Sequence, residues 1–182
     1  MRALLLAWTV LIAACSAPGV VFPDDTPGDF AELTETVFDD FVAAFPDRRG
    51  CIGEVEIRIA WELDDRALYD PESDIITVRV PATAPHLTSS IVHELGHRLE
   101  FRCPSQMDVR RPFLEALGLD PETAWSDRTT YETSPSEMWA EAVVRHVLGR
   151  PDSRRPLQVT PAAVDVVADW AGVDLNHEPS AP

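Results

Sequence analysis

The chain has 182 residues, 45% of them hydrophobic and 25% charged, enough for one domain that buries roughly 70% of the surface its unfolded form exposes. Acidic residues number 31 against 15 basic ones, for a net charge of −16. Such a field repels phosphate backbones and anionic lipid heads, which excludes nucleic acid as a main partner.

The chain starts with a single positive charge, Arg2, followed by an apolar run over residues 3–14. That is short of the ~20 residues a helix needs to span a bilayer, and it has the shape of a secretory signal. The run ends Ile12-Ala13-Ala14-Cys15, which resembles a bacterial lipobox. The resemblance implies removal of residues 1–14, acylation of the Cys15 sulfur, and a lipoprotein anchored outside the cytoplasm, held on a membrane surface without crossing it. With Cys15 assigned to lipid, the other two of three cysteines, Cys51 and Cys103, form an even pair suited to a disulfide in an oxidising compartment. Its loop is long enough for a stabilisation of ~4–5 kcal/mol in the chain-entropy picture.

Residues 16–28 are rich in Pro and Gly and lack an apolar period, so residues 15–28 read as a lipidated cysteine and flexible tether. A single domain is expected over 29–175, with a polar tail over 176–182. Phe30, Leu33, Val37, Phe38, Phe41 and Phe45 recur at helical spacing, and Pro46 ends the run. Residues 55–63 alternate, with Val55, Ile57, Ile59, Trp61 and Leu63 on one side, as in a half-buried strand. Asp70-Pro71-Glu72-Ser73 predicts a turn, and a second strand follows from Ile75 to Val80, stopped by Pro81. If residues 75–80 form a sheet edge, an extended peptide can pair with them.

Leu87, Ile91, Leu95 and Leu99 restore the helical period. Pro112 opens a short helix stopped at Gly118, Ser134-Pro135 opens one that runs to Leu148, and Thr160-Pro161 opens the last. Trp61, Trp125, Trp139 and Trp170 are expected in the core, and His146 and His177 at the surface. His86 marks the start of the helix over 87–101.

On that helix lies His93-Glu94-Leu95-Gly96-His97, an H-E-x-x-H string. Residues i and i+4 share a helix face, ~6 Å apart along the axis, so two imidazoles can converge on one Zn²⁺ at ~2.0–2.1 Å. Ile91, Leu95 and Leu99 take the opposite face, so packing does not require the histidines. Glu94 then stands beside the metal, where a carboxylate can accept a proton from water that zinc has acidified to a pKa of ~7.

A third protein ligand is still needed, with the fourth position open. Glu100 and Cys103 stand where the metzincin pattern has Gly and His, so the ligand is sought elsewhere. The helix after Ser134 offers Glu137, with Glu141 on the same face at i+4 and Met138, Ala142 and Val143 free to pack inward. Ser134-x-x-Glu137 also reads as a capping box, which would use Glu137 to close the helix start. Ligation is preferred because the metal otherwise lacks a third donor, and Glu141 is expected to orient an imidazole.

His93–His97 followed some forty residues later by Glu137-Met138-Trp139-Ala140-Glu141 resembles the anthrax lethal factor-like zinc peptidases and the related clostridial Pro-Pro endopeptidases. Tyr69-Asp70-Pro71-Glu72-Ser73, leading by a strand into the motif helix, is similar to that family's approach to its active site. The likeness covers about residues 69–148. Met138 stands where the family has an aromatic. The resemblance implies an α+β, zincin-like fold of the gluzincin type, with a small sheet packed on the motif helix. It also implies one Zn²⁺ on His93, His97 and Glu137, hydrolysis of peptide bonds, and a tyrosine, matched by Tyr131, that steadies the oxyanion. A rival reading is a non-catalytic zinc-binding surface lipoprotein or an inactive peptidase scaffold. Intact Glu94 argues against both, because a structural site has no use for a base.

Overall fold

The computed structural model describes residues 17–126, 131–152 and 157–172. The segment over 1–14, Cys15, His177 and the tail over 176–182 lie outside the described residues, and none of the described helices is long and apolar enough to cross a membrane.

The fold is α+β. Four strands, β1 (Gly19–Val21), β2 (Glu54–Ala60), β3 (Ala67–Asp70) and β4 (Ile75–Arg79), form a sheet in the order β1-β2-β4-β3. β1, β2 and β4 run parallel, and β3 is antiparallel to β4. Among the described residues six helices accompany it: α1 (Gly28–Ala44), α2 (Arg49–Ile52), α3 (Ala84–Arg102), α4 (Gln106–Leu117), α5 (Pro135–Leu148) and α6 (Pro161–Ala171).

The β3–β4 hairpin explains why the chain turns at residues 71–74. Asp70 accepts the Glu72 N–H at 3.0 Å and the Ser73 hydroxyl at 2.6 Å, an Asx-type turn. Asp74 closes it at φ 57°, a left-handed position that Asp tolerates better than most residues.

This hairpin corrects one expectation from the sequence. β4 is interior, paired through Ile57–Ile76 with β2 and through Tyr69–Ile76 with β3, so the run from Ile75 to Val80 has no free edge. β3 is the edge strand. Its four residues are too short for alternation to reveal it.

Three further expectations change. The supposed tether contains β1, which extends the sheet along β2 and brings Val20 and Phe22 against the core. β2 stops at Ala60, where its partner β4 ends at Arg79. Trp61 is therefore turned out at 72% exposure rather than packed inside. α4 begins at Gln106, not at Pro112; the proline sits on its exposed face, where water can serve the carbonyl it leaves unbonded. The other three tryptophans are buried as expected, with Trp139 stacked edge-on between Phe113 and Trp170.

α3 is the centre of the molecule. Leu87, Ile91, Val92, Leu95 and Leu99 are buried, and the helix packs on β3 and β4 on one side and on α5 on the other. Cys51 and Cys103 form the expected disulfide, which ties α2 to the C-terminal end of α3.

Candidate metal centre

His93 and His97 project from successive turns of α3 with ring centroids 4.9 Å apart. Both point Nε2 at one oxygen of Glu137 on α5: Oε2 lies 3.1 Å from His93 and 3.5 Å from His97. Ligands at ~2.0–2.1 Å from one tetrahedral centre are separated by ~3.3 Å, so these two spacings fit a shared ion. All three donor atoms lie within 4.8 Å of one another, and the residues are half-buried. The capping-box reading of Glu137 is set aside, because Ser134 makes no side-chain cap bond and the Glu137 carboxylate is turned to the imidazoles.

The close approach of α5 depends on Gly96, between the two histidines. A Cβ there would stand 3.1 Å from the Ala140 Cα and 3.3 Å from the Val143 Cβ. Trp139 uses the same gap, donating its indole N–H to the Gly96 carbonyl at 3.1 Å. Glu137 lies one turn before these contacts, so the packing of α5 on Gly96 fixes its reach.

Charge at the site is balanced between the two helices. Burial alone would lower the His97 pKa, but hydrogen bonds with Glu100 and Glu137 outweigh it and raise it to about 10. Burial would raise Glu137, yet its hydrogen bonds to His93 and His97 hold it well below the usual carboxylate range. The protein thus stabilises positive charge between these three side chains, which a divalent cation can supply in place of protons.

Glu94 is 7% exposed. Its Oε2 accepts the backbone N–H of Tyr69 in β3 at 2.9 Å, so the motif helix grips the sheet edge at this carboxylate. The hairpin is held from beneath by Arg98, which is 3% exposed. Arg98 clasps Asp74 with two bonds of 2.7 and 2.9 Å and reaches the carbonyls of Ile52 and Glu54. The Tyr69 hydroxyl donates to the same Asp74 at 3.0 Å.

A cleft of about 270 Å³ opens over this group, walled by Leu68, Phe101, Arg66 and Tyr131 among others. Tyr131, in a 3-10 turn (Tyr131–Thr133) before α5, therefore shares the cleft with Glu94 and the three donors.

Glu141 is near enough for the His93 charge to act on it, but its hydrogen bonds run to the other side. Its Oε1 accepts Arg145 Nε at 3.1 Å and the Asp152 N–H at 3.2 Å, and Arg145 goes on to the carbonyls of Leu157 and Val159. Glu141 braces the segment after α5, and burial raises its pKa despite Arg145. On α3 another acidic residue, Glu100, stands beside the His97 imidazole, with Ser136 at its side. His146 is also less exposed than expected: its Nε2 meets the Ala44 carbonyl at 3.0 Å and its ring stands edge-on to Phe45.

Comparison of the chain with protein-family models, curated proteins and solved structures gave no significant match.

Proposed function

We propose that the protein is a zinc-dependent endopeptidase of zincin type, exported and held at a membrane surface through a lipid on Cys15. The observation that carries this reading is the meeting of His93, His97 and Glu137 within 4.8 Å, with the carboxylate of Glu94 buried next to them. Two imidazoles and one carboxylate with a position left open is a donor set suited to hydrolytic zinc. Zn²⁺ held there supplies the Lewis acidity that makes water nucleophilic near neutral pH.

The other roles fall to side chains around the cleft. Glu94, with Oε2 held by Tyr69, takes the proton of the attacking water at its other oxygen and returns it to the leaving amine. The Tyr131 hydroxyl donates to the oxygen that gains charge as the carbonyl is attacked. The substrate lies extended along β3. Strand alternation turns the backbone groups of Ala67 and Tyr69 outward there, and the Tyr69 N–H is committed to Glu94. A peptide, unlike a small metabolite, can use the remaining edge groups.

The test is metal analysis of the purified protein together with cleavage of casein and a peptide library, each compared with Glu94→Gln. One zinc per chain and cleavage lost by 10²–10⁴-fold in the variant are expected. Equal cleavage by both proteins, or none by the zinc-loaded parent, overturns the enzyme reading.

A further inference from the structure

We infer that Glu100, acting with Ser136, is the residue that positions His97 for the metal; this rests on the reading of His93, His97 and Glu137 as ligands. Glu100 lies one turn beyond His97 on α3, with its side chain only 2% exposed. A carboxylate is buried this deeply only where its lone pairs are met. Oε2 accepts the Ser136 hydroxyl at 2.7 Å and lies 3.5 Å from His97 Nδ1. Ser136 Oγ is itself 3.4 Å from the same nitrogen. Oε1 has Arg110 Nη2 at 3.9 Å.

The two nitrogens of His97 thus face different partners. Nε2 faces Glu137 at 3.5 Å, and Nδ1 faces the Glu100–Ser136 pair. A neutral imidazole has one N–H, and a hydrogen-bonded carboxylate on the Nδ1 side keeps it there, leaving the Nε2 lone pair for the metal. The same contact fixes the ring's rotation about its own side chain.

Ser136 precedes Glu137 in sequence, so α5 delivers both a ligand and the hydroxyl that bridges to the residue behind another ligand. Arg110 completes the arrangement from α4, where it bonds Gln106 Oε1 at 2.8 Å and stacks over Trp125 at 4.7 Å. If Glu100 served only as a counterion for Arg110, its shortest contact would be to the guanidinium. Its shortest contact is to Ser136, and both lie against His97.

The measurement is the Zn²⁺ affinity of the purified protein by competition with a chromophoric chelator, for the parent, Glu100→Gln, Glu100→Ala and Ser136→Ala. It is paired with ¹⁵N imidazole spectra of each zinc-loaded protein. Glu100→Ala is expected to weaken zinc by ~10–100-fold, and Glu100→Gln, which keeps shape and an acceptor, by less. The His97 Nδ1–H resonance should shift in both. Ser136→Ala, the mildest change, should lower affinity several-fold and move the same resonance. Variants that hold zinc as tightly as the parent, with that resonance unmoved, overturn the positioning role while leaving the metal site intact. A parent protein that does not bind zinc overturns the metal reading itself.

Discussion

The backbone N–H of Tyr69 and the carboxylate of Glu94 are joined by a 2.9 Å hydrogen bond between the sheet edge and the motif helix. One oxygen of the proposed base is thereby fixed by main chain, whose position a side-chain substitution does not remove. An N–H bonded to a carboxylate is a charge-assisted contact, and it sets both the rotamer of Glu94 and the distance between cleft floor and substrate edge.

Tyr69→Pro removes that donor. The N–H points away from β4, so proline at this edge position leaves the ladder intact. Tyr69→Ala keeps the N–H and loses only the ring and its hydroxyl bond to Asp74, which makes it the control. Cleavage is expected to be at least ~10-fold lower in Tyr69→Pro than in Tyr69→Ala, with equal zinc content, since a misplaced base loses proton-transfer catalysis and leaves the ligands alone. Equal rates in the two variants would show that the bond does not govern Glu94.

Gly96 offers a second test, on the distance between α3 and α5. Alanine there gains ~1 kcal/mol of helix propensity, set against a Cβ 3.1 Å from the Ala140 backbone. Valine adds two more methyl groups to the same gap. Gly96→Val is expected to destabilise the fold by ~1–3 kcal/mol, as overpacking does. It should also weaken zinc more than Gly96→Ala does, because α5 must withdraw and take Glu137 with it. Chemical denaturation and chelator competition on the same samples measure both effects, and unchanged zinc affinity in the valine variant contradicts the link.

The third test is pH. In the metal-free protein His97 is raised to about 10 by Glu100 and Glu137 acting against burial. A raised histidine contributes stability that is complete below its unfolded value of ~6.5 and lost as pH climbs through the folded value. Chelator-treated protein should therefore lose stability between pH 6.5 and 10, and His97→Asn should flatten that decline. Urea midpoints across this range give the answer; a parent curve as flat as the variant's would mean the imidazole gains nothing from its two carboxylates.

How much of this was legible in the sequence follows from how local each feature is. The buried stripe of α3 and the pairing of His93 with His97 depend on helix period alone. The convergence of Glu137 on the two histidines is legible because a two-histidine set is chemically incomplete. The hydrogen bonds of Glu141 are not legible, because a shared helix face with Glu137 says nothing of where the chain after α5 returns, and Asp152 and Arg145 take them there. Glu100 has no pattern to mark it: its contact with Ser136 depends on another helix arriving, a juxtaposition created by the packing of α5 on α3. Trp61 failed for a related reason, since alternation continues past the point where β4 stops offering a partner.

Arg98 follows His97 directly, and the two side chains leave α3 in different directions, one to the donors and one to Asp74, Ile52 and Glu54. Any rotation of the helix that swung the imidazole would tear the guanidinium from three separate parts of the scaffold. The azimuth of the motif is thereby locked from the rear, and the scaffold itself sets the direction in which the imidazole leaves the helix. On the proposed metal reading the site is a preformed socket, not a loop that gathers around an ion.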